Sequence, residues 1–430
     1  MAVPSAPTSP HPASHTHHPW VIAVAGMVCL AVAMGIGRFA FTPILPMMLN
    51  DGVVDLPGAS WLASANYLGY MVGAALCTLQ PWLWARCRWL PAVAYSSLIR
   101  TGLVTIGLLT LAMAWHAPAL WPLLRFAAGV VSAVVFVYTS GWCLAQLARM
   151  GSPALAGFIY AGPGAGIVVS GLMASALVAA HWRATSAWLI FGVMAFALIA
   201  CVWRLVRGDA DRLTPLAART PSTVDTPGVP APHARAEMAV LTVAYALAGF
   251  GYIVTATFLP VIARSALPGS PWLDLFWPIF GAGVFCGAAL ATRLPAGRNL
   301  RALLAGAYLM QALGICASLW SPSLAGFAIG SLMLGIPFTA ITFFAMQEAR
   351  RLRPATAASF MGLLTAAYGI GQVAGPPLVA VMLRRSATAG QGFTLSLEIA
   401  ATALVIGAAM YGWMARAYPR PAARQTTASA

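Results

Sequence analysis

The chain has 430 residues, of which 60% are hydrophobic and only 8% are charged. Soluble globular domains carry roughly 25% charged residues, so this composition cannot cover a water-exposed surface. The net charge is +15, but all the basic residues are arginines and most lie in short connections between apolar segments. That distribution is typical of membrane proteins and not of a nucleic-acid-binding surface. We therefore predict an integral membrane protein in contact with the lipid bilayer and with no nucleic-acid partner.

In chain order, residues 1–19 are rich in Pro, Ser, Ala and His and are predicted to form a disordered tail. Twelve apolar segments follow, and each has about the 20 residues that a helix needs to cross a bilayer. These predicted spans lie at 20–49, 60–81, 90–114, 119–147, 154–179, 186–206, 237–263, 272–292, 302–320, 324–347, 357–383 and 394–415.

The longest polar stretch, 207–236, separates the sixth span from the seventh. Its prolines and acidic residues predict a flexible linker between a bundle at 20–206 and a second bundle at 237–416, before a tail at 417–430. Loops on the side of the N-terminus hold seventeen arginines, and the opposite loops hold four. The positive-inside rule then predicts that both termini are cytoplasmic.

The two halves of the chain repeat each other. A shift of 214 residues aligns Gly35 with Gly249, Gly37 with Gly251, Pro46 with Pro260, Gly69 with Gly283 and Gly73 with Gly287. A shift of 201 residues aligns Phe126 with Phe327, Gly129 with Gly330 and Arg149 with Arg350. Because six spans separate equivalent helices, the halves share one orientation. Parallel six-helix repeats are the internal symmetry of major facilitator transporters, whose substrate site lies between the halves.

Three motifs strengthen this resemblance. The span-1 sequence from Gly35 to Pro43, GIGRFAFTP, resembles the signature of the YbfB/YjiJ-like branch of the major facilitator superfamily. Arg125 with Gly129 resembles the span-4 arginine motif, and Gly162-Pro163-Gly164-Ala165-Gly166 resembles the span-5 Gly-Pro motif. The loop after span 2 departs from the usual pattern, since only Arg86 and Arg88 remain. The resemblance implies an all-α membrane protein with twelve transmembrane helices in two pseudo-symmetric six-helix bundles, in a bacterial inner membrane.

Arg38, Arg100 and Arg125 lie inside predicted spans. An arginine at the bilayer centre costs about 2.5–3.5 kcal/mol on insertion scales, so such residues usually face a bundle interior or a wet cavity. The resemblance implies that spans 1 and 4 line the substrate cavity. Arg38 and Arg125 are therefore candidates to bind a carboxylate or phosphate. The alternative is that they bond to backbone carbonyls and stabilise the bundle; Arg100, on a peripheral span, could instead extend towards the membrane surface.

Neutral polar residues give weaker signals. Tyr252 occupies the repeat position of Arg38, Asn66 shares a helix face with Tyr70, and Tyr368 shares one with Gln372. We list Tyr252, Asn66, Tyr368 and Gln372 as candidate substrate-binding residues. The alternative is that they bond to neighbouring helices, which is the commoner use of polar side chains in membranes.

The acidic residues are informative because none of the nine lies in the middle of a span. Asp274 and Glu398, near the starts of spans 8 and 12, are the best candidates for coupling to protons; the alternative, which the sequence favours, is that both are interfacial residues. With positive fixed charge inside the membrane, the sequence favours an organic anion or zwitterion over a cation.

Small residues in span 5 predict a sliding surface. Gly162, Gly164 and Gly166, which flank or follow Pro163, allow close backbone approach, and the resemblance places spans 5 and 11 between the bundles. These residues are candidates for gating, and tight packing without motion is the alternative.

We therefore predict a monomeric secondary transporter of a small molecule that works by alternating access, with no catalytic residues, metal or cofactor. A membrane enzyme would need a nucleophile, base or metal cluster at membrane depth, and the spans contain no such motif. A non-transporting sensor on a transporter fold would normally carry an output domain larger than the linker.

Overall fold

The computed structural model describes residues 18–86, 94–206, 233–270, 272–291, 293, 299–353 and 357–419. Arg88, most of the predicted linker and nearly all of both predicted tails lie outside these residues. The seventh span begins at Ala234, three residues before its predicted start.

The described residues contain twelve helical segments long and apolar enough to cross a membrane, which confirms the predicted number. Spans 2 to 6 are helical over Leu56–Arg86, Tyr95–Ala112, Trp121–Arg149, Gly162–Ala179 and Ala184–Val202, with a 3-10 helix Pro153–Ala161 leading into span 5. Spans 7 to 12 comprise Ala234–Ala266, Phe276–Ala291 after a 3-10 turn Leu273–Leu275, Leu300–Trp320, Leu324–Leu352, Ala357–Arg385 and Ala389–Ala417.

Span 1 differs from the continuous helix predicted for 20–49. It consists of an α-helix Pro19–Leu30, a π-helical segment Ala31–Ile36, a turn at 37–40 and a second α-helix Phe41–Asn50. The amide of Thr42 bonds to the carbonyl of Phe39 instead of that of Arg38. The break therefore leaves the Arg38 carbonyl without its usual partner within the helix.

Exposed tryptophans mark both ends of the helical bundle. We call the end where span 1 begins and span 12 ends the tail face, and the other end the opposite face. The exposed tryptophans are Trp20, Trp82 and Trp413 at the tail face, and Trp61, Trp115, Trp182, Trp272 and Trp320 at the opposite face. Two such girdles are the aromatic belts of a membrane protein, since indole rings prefer the headgroup region.

The sequence repeat reappears as equivalent helix packing in the two halves. A Cβ on Gly69 would lie 2.0 Å from the carbonyl oxygen of Phe126 in span 4. Its repeat partner Gly283 meets the carbonyl of Leu332 in span 10 in the same way, at 2.9 Å. These positions need glycine because the helix backbones touch there, so Gly69 and Gly283 are structural equivalents. The pair aligned by the shift of 201 residues is not equivalent, since Gly129 meets span 2 and Gly330 meets span 9.

The two halves meet along three pairs of helices. Span 2 packs against span 11, span 5 packs against span 8, and the second helix of span 1 packs against span 7. This arrangement confirms two pseudo-symmetric six-helix bundles and brings Arg38 of span 1 to the boundary between them.

Candidate functional site

Arg38 lies in the turn of span 1, where the helix is broken, and it is 3% exposed. Its Nη2 donates a 2.7 Å hydrogen bond to Oε1 of Gln372 in span 11. The amide nitrogen of Gln372 donates in turn to the hydroxyl of Tyr252 in span 7. A polar chain thus joins three predicted site residues across the boundary of the bundles. Gln372 and Tyr252 are also 2% and 1% exposed, so the site is closed to solvent in this conformation.

The first bundle surrounds the Arg38 guanidinium with aromatic rings. Its central carbon lies 4.0 Å from the ring centroid of Tyr70 and 5.3 Å from those of Tyr67 and Phe39. Cations are attracted to ring faces within about 6 Å, so these contacts stabilise the buried charge.

The second bundle supplies the facing wall. Tyr252 stacks on Tyr368 with 5.9 Å between centroids, and Tyr368 stacks on Tyr245 at 4.7 Å. Phe338 of span 10 packs edge-on against Tyr252 at 4.9 Å and lies 6.3 Å from Phe39 of the first bundle. We call Arg38, Gln372 and Tyr252, with the rings of Phe39, Tyr67, Tyr70, Phe338 and Tyr368, the Arg38 site.

Arg125 and Asn66 hold the broken part of span 1 in place. Arg125 is 3% exposed, and its guanidinium donates to the carbonyl of Arg38 at 3.0 Å and to that of Gly37 at 3.5 Å. It also lies 4.9 Å from the ring of Phe41. The side chain of Asn66 donates to the Arg125 carbonyl at 2.8 Å. These bonds correspond to the structural alternative raised for both residues, although Nε of Arg125 and Oδ1 of Asn66 are buried without a hydrogen-bond partner.

Arg100, the third arginine predicted to lie within a span, contacts span 6. Its Nη2 donates to the carbonyl of Trp203 at 2.5 Å, and its guanidinium lies over the Trp203 ring. Arg100 therefore caps the end of span 6.

Further hydrogen bonds join the bundles from the level of Arg38 towards the opposite face. They connect Thr42 to the Ala256 carbonyl at 3.3 Å, Tyr67 to Thr257 at 2.8 Å and Ser64 to the Val373 carbonyl at 3.2 Å. Opening of the site towards the opposite face would require all three to break.

The two coupling candidates lie away from the Arg38 site. Asp274 forms an ion pair with Arg264 at 2.5 Å near the opposite face. Glu398 is exposed and is the tenth residue of the helix that begins at Ala389. At a rise of about 1.5 Å per residue, it lies roughly 14 Å from that helix start, deeper than the sequence predicted.

The gating candidates divide between two surfaces. A Cβ on Gly164 would lie 2.4 Å from the backbone nitrogen of Phe285 in span 8, across the boundary between the bundles. A Cβ on Gly166 would instead meet Gly35 and its neighbours in span 1, and one on Gly162 would meet Met27. Pro163 is the second residue of the α-helical part of span 5 and is buried. Within this set, Gly164 is the residue in contact with the other bundle.

Sequence reasoning missed a buried ionic cluster near the tail face. Arg301 of span 9 is 1% exposed and bonds to Glu237 of span 7 and to Glu348 of span 10. Its Nη1 also donates to two carbonyls at the end of span 12. Arg351 approaches Glu348 at 3.6 Å. Each residue lies near a helix end in the sequence, so hydropathy gave no sign that the four helices converge there.

The rings of Phe39, Tyr67 and Phe338 were also not predicted as site residues. Tyr67 and Tyr70 lie three residues apart, on one face of span 2, and Phe39 follows Arg38 directly. That spacing could have indicated an aromatic cluster around Arg38. The sequence gave no such indication for Phe338, because an aromatic residue in an apolar span is usually a packing residue.

Comparison with known proteins identifies the architecture. Residues 30–411 match the family described as Uncharacterised MFS-type transporter YbfB. The fold is similar to the crystal structure of a mutant of the nucleoside transporter NupG, with TM-score 0.67, 15% identity, and coverage of 91% of this chain and 99% of that one. It is also similar to a D-xylose-proton symporter, with TM-score 0.69, 13% identity, and coverage of 91% and 97%. No curated protein matches the sequence.

Proposed function

This chain belongs to the YbfB family of major facilitator transporters and is a multi-pass membrane transporter, not an enzyme; we propose that it moves a small organic anion or zwitterion by alternating access. The observation that supports this substrate charge most directly is Arg38, a buried cation at the boundary of the bundles whose hydrogen-bond partner is a neutral amide.

The local charge balance supports an anion. Among the described residues, no carboxylate forms an ion pair with Arg38. A buried guanidinium without a counter-ion attracts a carboxylate strongly, because the low dielectric strengthens charge-assisted hydrogen bonds. The same charge repels an organic cation.

The contacts between the bundles support the transport cycle. The hydrogen bonds that connect Thr42, Tyr67 and Ser64 to the second bundle close the site towards the opposite face. Rocking of the bundles would break these bonds and expose Arg38 there. At Gly164 the backbones of spans 5 and 8 are in close contact with no side chain from Gly164 between them, so no side chain at this position would obstruct sliding.

Proton coupling remains part of the proposal. The fold resembles that of a D-xylose-proton symporter, and Asp274 and Glu398 stay the candidate carboxylates. The substrate could also carry its own proton. We further propose a monomer in a bacterial inner membrane with both termini in the cytoplasm; the arginine distribution supports the orientation.

Arg38→Gln tests the proposed function, because it removes the charge and keeps hydrogen bonding. In proteoliposomes supplied with labelled metabolites, with and without a pH gradient, we expect uptake of anionic compounds by the wild type and at least a tenfold loss in the variant. The exposed Arg384 provides the matched control, Arg384→Gln, which should transport normally. Transport of only cations or uncharged sugars by the wild type would refute the proposal.

A sensor that does not transport is the second candidate. It predicts substrate binding without uptake in the same vesicles, so the experiment separates the two.

A further inference from the structure

The Arg38 site offers one positive charge. Arg125 uses Nη1 and Nη2 to hold the carbonyls of Gly37 and Arg38, which leaves it only the single donor Nε, and Arg100 caps span 6. The position related to Arg38 by the internal repeat is Tyr252, which is neutral. If a substrate with two carboxylates bound here, Arg38 would pair with one of them and the other would be buried without a positive partner. An unpaired buried charge lowers the binding free energy strongly. The site therefore fits a monoanion.

The Gln372 amide occupies the place that a carboxylate would take. Its oxygen accepts from Nη2 of Arg38, while Nε of Arg38 is buried and has no hydrogen-bond partner. A carboxylate has a second oxygen that can accept from Nε, so it would form the two-pronged pair that guanidinium groups prefer. The Tyr252 hydroxyl, which now accepts from Gln372, could donate to the same carboxylate.

The surroundings of that position are flat and aromatic. Tyr70 and Phe39 contact the guanidinium from the first bundle, and the stacked rings of Tyr252 and Tyr368 face them from the second. Tyr70, Tyr368 and Phe338 are only partly buried, so they can move apart around a bound ring. Aromatic rings prefer offset-stacked or edge-on partners, which this wall provides.

A sugar acid fits this lining poorly. Its several hydroxyl groups would need partners. The hydroxyls of Tyr67 and Tyr252 already bond to Thr257 and Gln372, and Phe39 and Phe338 offer none. Buried hydroxyls without partners lose binding free energy. An aliphatic acid could enter but would gain no ring stacking.

We propose that the substrate is a monocarboxylate with an aromatic ring, and that its carboxylate displaces the Gln372 amide from Arg38. This inference rests on the proposed function, since it specifies the anion that the same site would carry.

Binding to the purified full-length protein tests the substrate class. The probes are benzoate, phenylacetate and indole-3-acetate, compared with cyclohexanecarboxylate, succinate, gluconate and the neutral amide benzamide. We expect at least one aromatic acid to bind ten or more times tighter than every comparison compound, and to lose binding in Arg38→Gln. Arg384→Gln should bind like the wild type.

The outcomes separate the two proposals. If succinate, gluconate or cyclohexanecarboxylate binds as tightly as the best aromatic acid and depends on Arg38, the aromatic substrate is refuted while an anion transporter stands. If no carboxylate binds in a way that depends on Arg38, both fail.

Substitution of Gln372 tests the displacement step. Gln372→Glu places a permanent carboxylate beside Arg38, so it should compete with the substrate and weaken binding of aromatic acids at least tenfold more than Gln372→Ala does. The melting temperature of Gln372→Glu should equal or exceed that of Gln372→Ala. Equal loss of binding in the two variants would show that Gln372 only supports the fold, and would overturn the displacement.

Discussion

Removal of the Arg301 charge should destabilise the second bundle strongly. Arg301→Met fills a similar volume but leaves the carboxylates of Glu237 and Glu348 buried without their main partner. Breaking a buried ion pair by removing one partner costs about 3–5 kcal/mol. The substitution breaks two ion pairs, but Arg351 remains 3.6 Å from Glu348 and partly compensates its charge. We therefore count the penalty once. For a domain of this size it corresponds to a fall in melting temperature on the order of 10 °C.

The assay is the melting temperature of the purified protein in one detergent, followed by intrinsic fluorescence. Arg416→Met is the matched control, because Arg416 is exposed at the same face and should change the melting temperature little. Adding Glu237→Gln and Glu348→Gln to Arg301→Met removes the two buried carboxylate charges that Arg301 balanced, so the triple variant should melt above the single one. The reasoning fails if Arg301→Met melts with the control, or if the triple variant is no more stable than the single.

Three further predictions follow from the same contacts. Gly164→Leu should slow transport, because its side chain would meet the backbone of Phe285 and hold the two bundles apart in this conformation. Gly166→Leu should lower the melting temperature more than Gly164→Leu does, because its side chain meets span 1 within its own bundle. Gly412→Leu, with open space around it, is the control. Identical behaviour of the two span-5 variants would contradict the assignment. Arg125→Lys should weaken binding of acids at the Arg38 site by about 1.5–3 kcal/mol, the contribution of one hydrogen bond to a charged group. The reason is that lysine cannot reproduce the two hydrogen bonds by which Arg125 holds the carbonyls of Gly37 and Arg38. Unchanged affinity in a binding titration would show that Arg125 does not position Arg38. Halves of the chain divided within 207–232 and expressed together should reassemble into a working carrier, as copurification and uptake would show; failure to associate would argue against two independent bundles.

Hydropathy determined the membrane class and the twelve spans, and the glycines that recur at a fixed shift revealed the internal repeat. These properties follow from local sequence, because a bilayer requires a continuous apolar segment and internally satisfied backbone hydrogen bonds wherever the chain crosses it. Helix ends were less accurate. The tenth span was predicted to end at 347 but reaches Leu352, since a helix can continue into the polar interface, where hydropathy no longer marks it.

The roles of the buried polar residues were decided by tertiary structure. Arg38 and Arg125 are both arginines within apolar segments of the sequence. Arg38 nevertheless donates to Gln372, 334 residues away, whereas Arg125 donates to backbone carbonyls of span 1. The break in span 1 made those carbonyls available. The partner of a buried arginine depends on which helices pack against each other and on the depth in the membrane at which their residues come into contact. A single sequence does not contain the distances between helices. The sequence therefore identified the charges inside the membrane, and only the packing of the two bundles assigned one of them to the candidate site.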